Sequence, residues 1–380
     1  MRYFLVAGEA SGDLHASNLI KSIRKIDSHA QFAFMGGDLM EKASGQKTVV
    51  HYNTVAYMGV MPVLLHLKEI NQAGAYVQRE IKRFNPDVVI PVDYAGFNFK
   101  YILPFVHDKL NIPIYYYISP KLWAWKRWRV KSLVKYVDKL LCIMPFEQEF
   151  YRNYDLDVEY VGNPCVDAIE SYKDNRMEDE QLFQMKPYIA LLSGSRKEEV
   201  RRNLPYMLRA ANSYPDYNCV IAGAPGLTID DYLPYLNEYP DTKIVFGKTY
   251  NILEQSTAAL VTSGTATLET ALIGTPQVVC YKMSGLKLFN WGFKNFFPIK
   301  YFSLVNLITN NKVVEELLSA DLTDKALMQE LGAILPGGNK REQVIEGYKK
   351  LCNILGTSDT SDRAAHVIID SLVTVESKPQ

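Results

Sequence analysis

The sequence predicts an α/β protein with two Rossmann-like halves in tandem, each built on a parallel sheet. One observation is that short apolar strands alternate with amphipathic stretches in the first 161 residues. A second is that the same pattern restarts at residue 188, after a polar, charged segment at 171–186 that we interpret as the connection between domains. A third is that turns of small residues follow several of the strands, as in βα units.

Apolar runs bounded by turn-forming residues predict the strands, and an amphipathic stretch at 14–26 is one example of the helices between them. The predicted strands are 3–7, 32–35, 88–92, 114–118, 140–144, 158–161, 188–192, 219–222, 243–246, 259–262 and 277–281.

Composition excludes several classes of protein. Lys plus Arg and Asp plus Glu each number 42 in the 380 residues, so a general nucleic-acid binder, which needs a basic excess, is not expected. The five cysteines form no Cys-x-x-Cys pair, which favours buried thiols in a reducing cytosol over zinc or disulfides. No apolar run approaches the ~20 residues of a membrane span, and the start of the chain has no signal-peptide pattern. We therefore expect a cytoplasmic protein whose membrane contact is peripheral.

The first predicted strand runs into a glycine turn, where Gly8, Glu9, Ser11, Gly12 and Asp13 are candidate substrate-binding residues. Such a turn exposes backbone N–H groups and a helix N-terminus at the carboxyl edge of the sheet. Taken alone, the turn is better explained as a tight βα turn capped by Ser11 or Asp13. The pattern is not Gly-x-Gly-x-x-Gly, so a dinucleotide is not specifically indicated.

A matching turn in the second half contains Ser193, Gly194, Ser195 and Arg196. A cation at a helix start opposes the helix dipole, so a structural explanation for Arg196 is weak. An anion held between the guanidinium and the N–H groups of the turn removes that conflict.

A further turn contains Ser263, Gly264, Thr265 and Ala266, and its small and hydroxyl residues suit a nest of N–H groups around phosphate. Glu269 follows in the first turns of the next helix, where its carboxylate can accept hydrogen bonds from ribose hydroxyls. The alternative is that it interacts favourably with the helix dipole or caps the helix. Neither turn contains Gly-Lys-Ser/Thr, so a P-loop ATPase is not expected.

Asp93 is the candidate catalytic base, because it follows a buried strand and falls at the carboxyl edge of the sheet. A carboxylate at this place can also cap the next helix, and the local sequence does not separate the two roles. His15, just past the first glycine turn, is the reserve candidate.

The segment 119–129 interleaves tryptophan with Lys and Arg. This pattern can bind nucleic acid by stacking and charge, line a lipid-phosphate site, or place aromatic anchors at a bilayer interface. The alternative is a basic amphipathic helix with its tryptophans in the core.

Two further segments suggest contact with lipid. Residues 55–67 contain no charged side chain, and helical spacing is followed by Val60, Val63, Leu64 and Leu67. We therefore expect a helix that is either buried or docks on an apolar surface. Residues 289–308 combine aromatic side chains with lysine, which suits a membrane interface with anionic head groups.

Taken together, these motifs resemble the lipid-A-disaccharide synthase family of Gram-negative bacteria. The shared elements follow in order over about four fifths of the chain: residues 6–13, 57–59, 119–120 with 123–125, 194–196 and 263–269.

The resemblance implies a GT-B fold, with two Rossmann-like domains facing a cleft, and no cofactor or metal. It implies transfer of 2,3-diacylglucosamine, with inversion, from UDP-2,3-diacylglucosamine to the 6-hydroxyl of 2,3-diacylglucosamine 1-phosphate. The reaction is expected at the inner-membrane surface, and no nucleic-acid partner is expected. C-terminal helices are expected to pack back or to exchange in a homodimer. The expected domains are 1–170, which binds the acceptor and faces the membrane, 171–345, which binds the UDP-sugar, and the C-terminal helices at 346–380.

By motif match, the resemblance assigns the catalytic base to Asp93, the UDP-phosphate contact to Arg196 and another polar active-site position to Asn306. Gly96 stands where some relatives carry a second aspartate, and Lys121 stands where a small polar residue is common. The rival functions are another UDP-sugar enzyme of the GT-B fold, such as an epimerase, and a non-catalytic lipid A precursor-binding protein.

Overall fold

The computed structural model describes residues 1–54, 66–124, 126–176, 186–282 and 300–376. The chain divides into two compact units: the first comprises Met1–Pro164 and Thr357–Gln380, and the second comprises Cys165–Gly356. The domain limits expected from the sequence, after residues 170 and 345, stay a prediction.

The first unit contains a seven-stranded parallel sheet with the order β3-β2-β1-β4-β5-β6-β7. The inner part of this order is that of a Rossmann sheet, and the predicted parallel α/β class is confirmed. Its strands are β1 Arg2–Ala7, β2 Gln31–Gly36, β3 Val50–His51, β4 Val88–Val92, β5 Tyr115–Tyr117, β6 Lys139–Cys142 and β7 Val158–Tyr160.

Helices cover both faces of this sheet, which explains why its strands read as continuous apolar runs. Along β1, Tyr3 and Leu5 enter one hydrophobic cluster while Phe4 and Val6 enter the cluster on the opposite face. The helices of this part are α1 Ala10–Ile26, α2 Asp38–Ser44, α3 Leu67–Phe84, α4 Val130–Tyr136 and α5 Pro145–Tyr151, and residues 95–110 form a helical stretch that alternates α and π turns.

The second unit contains a six-stranded parallel sheet with the order β10-β9-β8-β11-β12-β13. Its strands are β8 Tyr188–Leu192, β9 Asn218–Gly223, β10 Lys243–Phe246, β11 Ala258–Thr262, β12 Gln277–Tyr281 and β13 Glu315–Leu318. Its helices are α6 Pro164–Asn175, α7 Lys197–Asn212, α8 Thr249–Gln255, α9 Thr265–Ile273, α10 Leu304–Thr309, α11 Asp324–Ile334 and α12 Arg341–Leu355.

The last helix, α13 Thr360–Glu376, belongs to the first unit. Its buried residues Ala364, Ala365 and Ile368 join the same hydrophobic cluster as Leu19 and Ile23 of α1. In the described ranges, no helix is long and apolar enough to cross a membrane.

We predict that Ile368→Ala lowers the free energy of unfolding by about 2–5 kcal/mol, because the side chain is fully buried against α1. Val373→Ala is the matched control, since Val373 is 51% exposed on the same helix and its truncation should cost about 0.5 kcal/mol or less. Urea denaturation measures both, and equal midpoints for the two variants would contradict the packing described here.

Candidate functional site

Two turns predicted to bind an anion lie side by side in the second unit. They follow β8 and β11, which are adjacent parallel strands with Leu192 opposite Val261. Because the carboxyl ends of parallel strands meet at one edge of the sheet, residues 193–196 and 263–266 begin at the same level.

These turns line a cavity of about 560 Å³. Seven of the predicted residues line it, namely Gly194, Ser195, Arg196, Ser263, Gly264, Thr265 and Ala266. The sequence analysis missed the other residues that line it, which are Leu192, Glu199, Ala224, Pro225, Thr249, Thr262 and Tyr281. Ala224 and Pro225 follow β9 and Thr249 begins α8, so only the folded sheet brings these three to the cavity.

Gly194 gives the first turn its shape. Its φ of 116° lies in the region that favours glycine, and a Cβ there would approach the Cβ of Glu199 to 2.5 Å. The preceding Ser193 is buried, and among the described atoms its hydroxyl has no hydrogen-bond partner.

Arg196 occupies the N-cap position of α7, and its side chain is 66% exposed beside the cavity. The Glu199 carboxylate lies 3.7 Å from the guanidinium and accepts a 2.9 Å hydrogen bond from the Ser195 N–H. This internal counter-charge, which the sequence did not predict, gives Arg196 a structural partner. A bound anion is therefore compatible with Arg196 but is not needed to balance its charge.

The second turn leads into α9, whose first turn contains no acidic residue. Its N-cap residue is Gly264, so no side chain caps the first N–H groups of this helix. Uncapped N–H groups and the positive end of the helix dipole favour an anion at this place. The start of α7 borders the same cavity, so two helix N-termini meet there.

Asn203, buried in α7, links the ends of three adjacent strands. Its Nδ2 donates to the Thr262 hydroxyl at 3.2 Å and to the Ser193 carbonyl at 3.5 Å. Its Oδ1 accepts from the Lys282 N–H at 2.8 Å. The only local signal for this role is a polar residue within the apolar face of a helix, between Val200 and Leu204.

Glu269 and Asn306 are absent from the described residues that line the cavity. The Glu269 carboxylate accepts a 2.7 Å hydrogen bond from the Tyr250 hydroxyl, and burial raises its pKa. Asn306 is fully buried and uses both ends of its amide: Nδ2 donates to the Val314 carbonyl and to Glu316, and Oδ1 accepts from two N–H groups. Both binding roles stay predictions.

Glu316 connects Asn306 to the cavity. Its carboxylate also accepts hydrogen bonds from the N–H groups of Phe302 and Ser303, at 3.0 and 2.9 Å. The Ser263 hydroxyl in turn donates to the Phe302 carbonyl at 3.3 Å. Asn306 thus holds the segment on which one wall of the cavity rests.

In the first unit, Gly8, Asp93 and Ile118 follow three neighbouring strands, β1, β4 and β5. Asp93 and Tyr94 both adopt left-handed φ values of 45°, and Ile118 has a φ of 63°. Such conformations are costly for bulky or β-branched residues and concentrate at functional sites. Hydrogen bonds from the Asn98 amide and the Tyr116 hydroxyl to the Asp93 carbonyl hold this geometry.

Burial raises the pKa of Asp93, although the Lys121 charge and the Tyr94 N–H act in the opposite direction. The following helical turn has Tyr94, not Asp93, at its N-cap position. The carboxylate is therefore a stronger base than an exposed aspartate, which suits proton abstraction. The catalytic role itself stays a prediction.

Gly8 and Gly12 have clear packing roles. A Cβ on Gly8 would lie 1.9 Å from the Tyr94 ring, and Gly12 approaches Ala7 of β1 closely. Ser11 is exposed at the start of α1, and Glu9 is partly buried at its N-cap position. Burial and the Glu9 charge raise the pKa of Tyr94 to about 12, which places Glu9 near the Asp93 turn.

Asp13 is buried, and its carboxylate accepts hydrogen bonds from the N–H groups of Gly37, Leu39 and Met40 at 2.8–3.2 Å. It therefore caps the start of α2 from α1. This geometry agrees with the capping alternative, although the capped helix is the next one rather than its own.

The remaining predicted residues divide between described and undescribed parts of the chain. His15 is half-buried, and burial lowers its pKa. Val60, Val63 and Leu64 lie outside the described residues, whereas Leu67 is exposed at the first position of α3. Among the described residues, no group of three or more His, Cys, Asp or Glu side chains is arranged to hold a metal ion.

Two successive parallel-sheet units of this kind place the chain in the GT-B fold class. Solved structures with this fold include the calicheamicin glycosyltransferase CalG4, at 15% identity and a TM-score of 0.59 over both complete chains. Another is a UDP-GlcNAc 2-epimerase from Neisseria meningitidis bound to UDP-GlcNAc, at 14% identity and a TM-score of 0.62, covering 98% of this chain and 100% of that one. At such identities the likeness concerns the fold alone.

Sequence comparison identifies the family. The lipid-A-disaccharide synthetase family model matches residues 3–367. The lipid-A-disaccharide synthase of Geobacter metallireducens is 33% identical over 379 residues, covering 98% of this chain and 97% of the relative. That of Myxococcus xanthus is 34% identical over 378 residues with the same coverage. The chain therefore belongs to the lipid-A-disaccharide synthetase family.

We predict that Asp13→Ala lowers the free energy of unfolding by about 3 kcal/mol, because several buried N–H groups lose their acceptor. Ser11→Ala, at an exposed site two residues earlier, should leave the melting temperature unchanged. Thermal melts of the two variants decide. A normal melt for Asp13→Ala combined with lost substrate binding would show that its main role is in the site.

Proposed function

We propose that this protein is an inverting glycosyltransferase that forms the lipid A disaccharide. It transfers 2,3-diacylglucosamine from UDP-2,3-diacylglucosamine to the 6-hydroxyl of 2,3-diacylglucosamine 1-phosphate and releases UDP. Family membership over nearly the whole chain supports this activity. The observation that carries the donor site is the cavity of the second unit, where two helix N-termini and Arg196 surround space for a diphosphate.

The donor's pyrophosphate occupies this cavity in our proposal. Backbone N–H groups at the starts of α7 and α9 face its oxygens, and the hydroxyls of Ser195 and Thr265 add donors. Arg196 supplies the positive charge that stabilises the diphosphate as it leaves. Glu269, one helical turn beyond residues 263–266, is proposed to accept hydrogen bonds from the ribose hydroxyls.

Asp93 is proposed to act on the acceptor. Its carboxylate takes the proton of the 6-hydroxyl while that oxygen bonds to the anomeric carbon. The bond from that carbon to the UDP oxygen breaks, and its electron pair leaves with UDP. Inversion follows because the hydroxyl attacks the face opposite the departing diphosphate. Burial, which raises the pKa of Asp93, increases its affinity for this proton.

The neighbouring residues Gly8, Glu9, Ser11 and Gly12 are proposed to border the acceptor. Gly8 and Gly12 let Tyr94 and β1 approach closely, so they shape the wall rather than bind through side chains. Glu9 and exposed Ser11 supply polar groups at the same edge of the sheet.

Acylated substrates require a route from the lipid phase. We propose peripheral association with the inner membrane through Val60, Val63, Leu64 and Leu67, of which the exposed Leu67 belongs to the described chain. A homodimer that exchanges C-terminal segments is also proposed on the family resemblance. Light scattering of the purified protein tests this second proposal, since a concentration-independent monomer mass would contradict it.

We predict that Arg196→Ala weakens UDP binding by about 1.5–3 kcal/mol, the value of a charge-assisted hydrogen bond. Arg201→Ala is the matched control, because Arg201 lies on the same helix, pairs with Glu198 and does not line the described cavity. Isothermal titration calorimetry with UDP measures both. Equal affinities for the two variants would exclude Arg196 as a phosphate contact.

We predict that Asp93→Asn lowers the turnover rate about 10²–10⁴-fold, with UDP affinity and melting temperature nearly unchanged. The acidic limb of kcat/KM should lie above the usual range of an aspartate, because the base must be deprotonated and burial raises its pKa. Activity should thus fall as the pH drops through that raised pKa, and the limb should vanish in Asp93→Asn. The assignment fails if Asp93→Asn stays active while His15→Ala is dead.

A further inference from the structure

The segment 119–129 contains two described tryptophans with opposite environments. Trp123 is 7% exposed, and its indole N–H donates to the buried Glu147 carboxylate at 3.1 Å. Trp128 is 69% exposed, the highest value among the exposed large hydrophobic side chains of the described chain. Packing in the core therefore explains Trp123 and leaves Trp128 without an explanation.

Cations surround Trp128. Lys126, Arg127 and Arg129 lie within two residues of it in sequence, and Lys131 lies three residues further on, at the start of α4. The sequence contains no acidic residue from 121 to 137. Positions three apart on a helical turn share one face, so the Lys131 and Trp128 side chains lie on the same side.

The two arginines are held by aromatic rings rather than by carboxylates. The Arg127 guanidinium lies over the Phe150 ring at 5.6 Å, and that of Arg129 lies over the Phe99 ring at 5.3 Å. Within the described ranges, neither forms an ion pair with an acidic side chain. Cation–π contacts fix the positions of the two guanidinium groups without neutralising their charge. The surface around Trp128 therefore keeps a positive potential.

The residues around Trp128 connect through Phe99 to α3, whose first residue, Leu67, is the last residue of the uncharged segment 55–67. Phe99, under Arg129, belongs to the helical stretch 95–110, whose Tyr101 hydroxyl donates to Asn71 of α3. Helix α3 begins at the exposed Leu67. Leu67 thus lies on a helix that contacts the stretch packed under Arg129.

This combination fits one occupant. Exposed tryptophan is typical of the membrane–water interface, where its ring sits among the head groups, and adjacent Lys and Arg are attracted to anionic lipids. Non-specific binding of single-stranded nucleic acid needs a row of rings for stacking. Of the tryptophans described in this segment, only Trp128 faces solvent.

We propose that Lys126, Arg127, Trp128, Arg129 and Lys131 form a docking surface for an anionic phospholipid bilayer. The Trp128 indole inserts at the level of the head groups, and the cations contact lipid phosphates. The inference rests on the proposed use of acylated substrates, because docking here brings the first unit to the phase where they reside.

The test is sedimentation with vesicles of phosphatidylethanolamine and phosphatidylglycerol, alongside neutral phosphatidylcholine vesicles, at low and high salt. The unsubstituted protein should bind the anionic vesicles, less so at high salt. Lys131→Gln should weaken that binding roughly five-fold, the value of one cation near such a surface. Trp128→Ala should weaken binding to anionic vesicles more than Lys131→Gln does. It should also lower the fraction of protein that sediments at saturating lipid.

Controls separate this surface from general effects. Ile229→Ser and Lys325→Gln, which remove an exposed apolar group and an exposed cation in the second unit, should bind vesicles as the unsubstituted protein does. Brominated lipids should quench tryptophan emission, and Trp128→Phe should remove most of that quenching. Serine at Val60, Val63, Leu64 and Leu67 probes the apolar segment separately.

Unchanged vesicle binding in Trp128→Ala together with Lys131→Gln would overturn the proposal. So would equal binding to neutral vesicles, or displacement of the vesicles by a single-stranded oligonucleotide at equal charge. Turnover of substrates dispersed in detergent keeps the proposed function separate. If the variants lose vesicle binding but keep that turnover, the docking surface and the proposed glycosyl transfer both hold. If the unsubstituted protein is inactive but still docks through Trp128, only the proposed glycosyl transfer is refuted.

Discussion

The amide of Asn203 holds the candidate donor site together, because one buried side chain joins the carboxyl ends of β8, β11 and β12. Parallel pairing brings these ends to one edge of the sheet, but each strand is followed by an irregular turn. Hydrogen bonds from Asn203 to Ser193 and Thr262 fix the two turns relative to each other. The spacing of the helix N-termini that face the cavity depends on this link.

A different constraint operates in the first unit. There the turns after β4 and β5 adopt left-handed conformations, with Asn98 and Tyr116 anchored on the Asp93 carbonyl. The backbone is thereby held still, while the Asp93 side chain is left half-buried and more basic than an exposed aspartate. Preorganisation of this kind lets a carboxylate accept a proton without first rearranging its surroundings.

Most strands and the turns that line the candidate donor cavity could be predicted from the sequence, because apolar runs and small-residue turns are local signals. Two strands were not predicted. Strand β3 has only two residues, and the edge strand β13 begins with the charged Glu315 and Glu316, so neither reads as an apolar run. The capping of α2 by Asp13 and the link through Asn203 were not predicted either. Both join residues that are distant in the chain, and no local pattern records such partners.

The most direct test of the central claim is mass spectrometry of the products that the purified protein forms from UDP-2,3-diacylglucosamine and 2,3-diacylglucosamine 1-phosphate. The account predicts a tetraacylated disaccharide carrying one phosphate, together with an equal amount of UDP. Release of UDP with free diacylglucosamine, conversion of the donor into an isomer, or no change in either substrate would contradict it.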